Sequence, residues 1–223
     1  MTLKHSIARF AAAGVMVALA SAGAGTAHAQ TPGLPVLQNA FGNPGLAFAA
    51  NFGTGGGQSF FGAAAGWGLG GGRFMLSGAA GGQRANESMR GAYGARAAVS
   101  AWTSKGGSLG IGAFAGIGGA PRTRNDSVTT NPAIISIPVG LSVGWRRSIG
   151  ERRGISVYGS PVYRWTRAEQ NDVAVSSGNF GGAVGVDFAI SQSIGVTAGG
   201  EFGKSDGSTS STLGFAVTFV PGR

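Results

Sequence analysis

From Ile135 to Trp145 the chain alternates strictly. Ile135, Ile137, Val139, Leu141, Val143 and Trp145 are apolar, and Ser136, Pro138, Gly140, Ser142 and Gly144 between them are small or polar. Successive side chains of a strand point to opposite sides, so a period of two predicts a strand with one apolar face. Leu213, Phe215, Val217 and Phe219, spaced by Gly214, Ala216 and Thr218, repeat the pattern near the end of the chain. Ten segments of this kind can be marked, at 45–52, 59–69, 73–83, 90–102, 108–118, 134–146, 154–166, 179–190, 194–203 and 212–220. Ten residues at about 3.3 Å each, tilted by about 40°, rise about 25 Å, the height of the apolar band of a membrane barrel.

The connections between these segments alternate in length. Residues 70–72, 104–107, 148–153 and 191–193 are short, whereas 53–58, 84–89, 119–133, 167–178 and 204–211 are longer and polar. Short turns at one end and long loops at the other predict an up-and-down antiparallel barrel, with short turns in the periplasm and long loops outside the cell. Ten strands fit the segments best, with eight as the alternative count. The outward sets include Phe61, Ala63, Ala65, Trp67 and Leu69 on one segment and Ile155, Val157, Gly159, Pro161, Tyr163 and Trp165 on another. Trp67 and Trp145 fall at the short-turn end and Tyr163 and Trp165 at the long-loop end, as aromatic girdles do at membrane interfaces. Pro138 and Pro161 lie within segments and each predicts a bulge, because proline removes a ladder donor.

Composition narrows the choice of barrel or sandwich. Only 11% of the residues are charged, against about 25% in ordinary soluble domains, and 44 of 223 are glycine without a collagen period. A soluble sandwich needs polar residues on its solvent faces, and here the face opposite the apolar one is mainly glycine and alanine. No stretch after the first thirty residues resembles a membrane-spanning helix, and lipid admits only helices and closed barrels. The expected fold is therefore an all-β, closed antiparallel transmembrane barrel over 45–220.

The first residues read as an export signal. Lys4 and Arg9 precede an apolar run from Phe10 to Ala20, and Ala27-His28-Ala29 forms a small-residue cleavage site. We expect a signal peptide over 1–29, a mature start at Gln30, and an uncharged N-terminal segment over 30–44. The absence of cysteine means that an exported chain is held without disulfides.

Inside the expected barrel the small residues include Gly62, Gly66, Gly110, Gly112, Gly140, Gly144, Gly181 and Gly185, which leave room along the axis. Five charges share their parity: Arg96, Arg146, Arg164, Asp187 and Glu201. Depth along the strands matches Arg164 with Glu201 and Arg146 with Asp187, on strands about 10 Å apart. Paired, these charges form a plug; unpaired, they form a charged constriction in a pore. Both remain open from the sequence.

Enzyme chemistry finds little support. Both histidines, His5 and His28, lie in the leader, so the mature chain has neither histidine nor cysteine for a nucleophilic triad. No catalytic, cofactor or metal site is expected; Asp126, with hydroxyls nearby, is a lone loop carboxylate. The formal net charge of +9 includes Lys4 and Arg9, and the remaining basic residues are scattered apart from Arg146, Arg147, Arg152 and Arg153, so nucleic-acid binding is not expected.

The leader, the alternating segments, the aromatic girdles and the ending Leu213-Gly214-Phe215-Ala216-Val217-Thr218-Phe219 together resemble the small bacterial outer-membrane β-barrel families of the OmpA and OmpX type. The resemblance is one of pattern, over 45–220, and carries no motif for a particular function. It implies residence in the outer membrane among its lipids and lipopolysaccharide, delivery by the barrel assembly machinery, and a monomer. The implied function is non-enzymatic, either structural or as a narrow porin-like channel. The alternative is a surface adhesin acting through loops 119–133 and 167–178.

Overall fold

The alternating segments pair into one closed sheet. The computed structural model describes residues 39–55, 57–85, 88–125, 128–150, 153–170, 173–205 and 208–221. The expected signal peptide over 1–29 lies outside the described residues, as do residues 30–38 of the uncharged segment.

The described strands are β1 (Gly45–Gly55), β2 (Gln58–Leu69), β3 (Phe74–Ala85), β4 (Ser88–Thr103), β5 (Leu109–Ala120), β6 (Thr123–Asn125), β7 (Val128–Asn131), β8 (Ala133–Ser148), β9 (Gly154–Gln170), β10 (Val173–Ala189), β11 (Ile194–Ser205) and β12 (Ser208–Phe219). Ten of them close into an antiparallel barrel in the order β1-β12-β11-β10-β9-β8-β5-β4-β3-β2, and β6 and β7 form a small hairpin inside the β5–β8 connection. The closing seam pairs Phe48 with Phe219 and Phe52 with Phe215, continuing the register of the other ladders. Closure leaves no edge with unpaired backbone groups.

Four of the five connections expected to be long are largely continuations of the barrel strands themselves. β9 and β10, for example, pair as far as Gln170 opposite Val173. Main-chain ladder bonds need no side-chain pattern, so a hairpin continues past the point where apolar alternation stops. Only Ala120 to Ala133 remains a long connection.

The two prolines do not produce bulges. Pro138 pairs with Arg164 on β9, and Pro161 pairs with Gly182 on β10. On its other side each is skipped while the register continues unshifted. A proline has no donor, and the strand absorbs that loss on one side only. The bulge falls instead between Ser100 and Trp102, opposite Gly112 and Ile111. It turns Trp102 outward beside Ile111, where it is 51% exposed.

The outer surface is apolar over a wide belt. Phe48, Phe61, Leu76, Ala97, Ile137, Val139, Leu141, Phe180, Val217 and their outward neighbours are accessible around the barrel. The outward charges on the strands lie at the borders: Arg147 at the short-turn end, and Arg84, Arg167 and Lys204 at the long-loop end. Trp67, Trp102 and Trp145 stand near the first border; Tyr163 and the half-buried Trp165 stand near the second.

Candidate functional site

Large side chains lying on glycines occupy part of the interior. Phe60, Phe114 and Tyr158 point inward and are buried. A Cβ at Gly62 would come within 2.7 Å of the Phe60 ring, one at Gly140 within 2.6 Å of Phe114, and one at Gly185 within 2.6 Å of Tyr158. Each glycine lets a neighbouring ring lie flat against the wall, so the space left by small residues is occupied by aromatics from the same or an adjacent strand. These rings share parity with the inward glycines, a signal available in the sequence but hidden by reading the glycines alone.

The inward charges separate into two groups. Arg164 on β9 and Glu201 on β11 form an ion pair, with both residues buried. Arg96 on β4 is buried nearby, its guanidinium 5.3 Å from the centre of the Phe114 ring. Asp187 on β10 does not meet Arg146. Its carboxylate instead accepts from Thr197 Oγ1 at 2.7 Å, Ser156 Oγ at 3.3 Å, Tyr158 Oη at 3.5 Å, and Asn39 Nδ2. Arg146 is exposed at the rim, where its Nε donates to the Gly107 carbonyl at 2.7 Å and its guanidinium lies 4.4 Å over the Phe41 ring. A guanidinium at the end of a strand reaches solvent, carbonyls and a ring without losing its hydration.

A further arginine organises the long-loop end. Arg90 is 6% exposed and its Nε donates to Gln83 Oε1 at 3.0 Å, while Nη1 donates to the Pro132 carbonyl at 2.6 Å and the Pro121 carbonyl at 3.5 Å. Gln83 Nε2 in turn donates to Gln58 Oε1 at 2.5 Å. Asn131, buried to 2%, donates to Ser88 Oγ, and Arg122 pairs with Glu169 at 3.3 Å. Both ends of the β6–β7 connection are thus tied to the barrel. Arg90 has the parity of Arg96, but it stands at the first residue of its expected segment, where parity says least.

The short-turn end is crossed by the chain itself. Asn39 meets Asp187 and donates to Ser156 Oγ at 2.6 Å, and its Oδ1 accepts from the Phe41 backbone N–H at 3.2 Å, fixing a tight Asx-type turn. Ala40 and Phe41 are buried at 2% and 8%. The Phe41 ring sits where a Cβ at Gly110 or Gly144 would come within 2.5 or 3.0 Å, so two inward glycines form its slot. Gly42 and Asn43 then pass against the backbone of Gly72 and Gly68 before β1 begins. The segment runs from the β9–β10 wall to the opposite β2–β3 wall. Nothing in the sequence beyond its lack of charge marks this role.

Between this strap and the inward side chains lies a cavity of about 210 Å³, lined by Asn51, Ser77, Arg96, Tyr158 and Asp187 among others. Asn51 Nδ2 is buried there without a hydrogen-bond partner in the structure. The described residues contain no group of three or more acidic, histidine or cysteine side chains able to hold a metal ion.

No family model matches the chain, and no curated protein matches it. Among solved structures, the chain is similar to the N-terminal β-barrel domain of Pseudomonas aeruginosa OprF, with 9% identity, 80% of this chain and 98% of that chain covered, and a TM-score of 0.38. It is also similar to Ail, the attachment invasion locus protein of Yersinia pestis, at 9% identity, 79% and 98% coverage, and a TM-score of 0.36. Its similarity to the Acinetobacter baumannii outer membrane protein Omp33 is 11% identity, 82% and 100% coverage, and a TM-score of 0.35.

Proposed function

We propose that this chain is a non-enzymatic bacterial outer-membrane β-barrel whose resting interior is closed, so that it acts as a structural component of the membrane rather than as an open porin. The membrane setting rests on the charge-free apolar belt, bordered by Arg147 at one end and Arg84, Arg167 and Lys204 at the other. Such a surface in water would be an apolar patch far above the few hundred Å² that soluble monomers expose. The closed interior rests on one observation above the others, the buried Arg164–Glu201 pair set among packed rings. In this setting the short turns face the periplasm and the hairpins of β9–β10 and β6–β7 face outward.

Folding into lipid vesicles tests the setting. Val139 is 48% exposed on the outer face, and a charge at the bilayer midplane costs about 2 to 4 kcal/mol there. Val139→Arg should lower the yield of folded, heat-modifiable protein in vesicles, whereas Val157→Ile should leave it unchanged. Equal yields would remove the belt from lipid.

A second reading is contact with other surfaces through the outer hairpins. Val173 and Val175 are 65% and 64% exposed on the part of β10 that projects past Arg167, where lipid does not cover them. Val173→Ser with Val175→Ser should abolish adhesion of expressing cells if this reading holds and leave it unchanged otherwise.

A further inference from the structure

The segment Asn39–Pro44 lies across the short-turn mouth and belongs to no strand. At one end, Asn39 is held by the Asp187 carboxylate and Ser156. In the middle, Phe41 fills the slot over Gly110 and Gly144 and is covered by the Arg146 guanidinium. At the other end the segment joins β1 through Gly45, whose φ of +89° is a left-handed conformation with open space around it, as a hinge requires. The segment takes part in none of the barrel's ladders, so its release leaves the barrel closed on itself.

We propose that Asn39–Pro44 is a detachable closure of the short-turn mouth, with Phe41 as its stopper and Asp187 as its latch, and that its release opens the interior cavity on that side to water and small solutes. The long-loop end keeps its own closure, in which Arg90 holds Gln83 and the Pro132 carbonyl and Arg164 pairs with Glu201. Release therefore makes a vestibule open at one end rather than a through-channel. The inference deepens the closed-barrel reading, and it depends on the fold and not on the membrane.

The chain has no cysteine, so single cysteines report access cleanly. Ser77→Cys places a thiol on the cavity wall. Ala92→Cys places one in the buried cluster with Phe60 and Ala120. Each is made in the otherwise unchanged chain and again with Phe41→Gly, and the rate of labelling by a charged methanethiosulfonate reagent is measured on detergent-folded protein. Truncating a packed aromatic shifts a local opening equilibrium by about a hundredfold or more. The rate at residue 77 should rise by about that factor with Phe41→Gly, and by a smaller factor with Asp187→Asn, while the rate at residue 92 stays constant. An unchanged rate at 77, fast labelling at 77 with the strap intact, or a parallel rise at 92 overturns the proposal; the last outcome means general loosening. Because the measurement is made in detergent, it can fail while vesicle insertion succeeds, and the reverse.

Discussion

The two mouths of the barrel are closed by different materials. At the long-loop end the wall and its own connection do the work: Arg90 gathers Gln83 and the carbonyls of Pro121 and Pro132, and Arg164 and Glu201 join β9 to β11, the two neighbours of β10. At the short-turn end a separate stretch of chain lies across the opening, with an aromatic stopper and an asparagine bonded to Asp187 and Ser156 among its fastenings. Charged groups buried among rings are costly to leave unpartnered, which makes the first closure stiff. A neutral segment, held by a ring in a glycine slot, hydrogen bonds to Ser156 and Asp187 and packing against Gly68 and Gly72, carries no charge of its own into the interior, which makes the second closure the one able to open. The two closures differ in where the charge sits: Arg164 and Glu201 carry it on both partners of the long-loop contact, whereas at the short-turn end it sits on the wall residues Asp187 and Arg146 and the strap is neutral.

The largest effect that would sharpen this contrast is at Glu201. Glu201→Gln leaves Arg164 buried with Arg96 close enough to repel it. Breaking a buried pair by removing one partner costs roughly 3 to 5 kcal/mol, and replacing both partners by apolar groups costs far less. Glu201→Gln should therefore lower the denaturant midpoint strongly, and Arg164→Met together with Glu201→Gln should recover part of the loss. A single-variant change near the surface value of about 0 to 1 kcal/mol would mean that water screens the pair and that the long-loop end is open.

Arg90→Ala comes next. It removes a charged donor from two carbonyls and a side-chain amide, and hydrogen bonds to charged groups contribute about 1.5 to 3 kcal/mol. Most of that loss should appear locally, as faster proteolysis within 121–133 and a smaller fall in the global midpoint than for Glu201→Gln. Unchanged proteolysis would show that Asn131 and Arg122 hold the connection without it.

The outer face of the barrel was legible because alternation needs only side-chain polarity. All ten barrel strands lie where the apolar period of two puts them, and Ile135 to Trp145 expose the expected set. Trp102 shows the limit. Counted from Arg90 it has inward parity, and only the bulge after Ser100, which no residue type announces, turns it outward. Parity and depth put Arg164 and Glu201 within reach of each other, and the structure joins them. The same argument fails for Arg146 and Asp187, because the competing partner, Asn39, lies in a segment with no periodicity to place it. Tight approaches such as Phe41 over Gly110 and Gly144 follow from the path of the backbone, which hydrophobic patterning does not encode.

The smallest effect belongs to Arg146, at the rim of the movable closure. Its guanidinium lies over the Phe41 ring while the rest of the side chain is exposed. A cation over an aromatic ring at an exposed site contributes about 0.5 to 1 kcal/mol, which corresponds to roughly a two- to fivefold change in an equilibrium. Arg146→Ala should thus raise the labelling rate of Ser77→Cys by that modest factor and leave the denaturant midpoint almost unmoved. Arg146→Lys keeps the charge but loses the planar stacking and the Nε donor to Gly107, so it should lie between the two. If Arg146→Ala shifts the midpoint as much as Glu201→Gln does, the rim arginine is part of the fixed framework, and the contrast between a stiff mouth and a movable one fails.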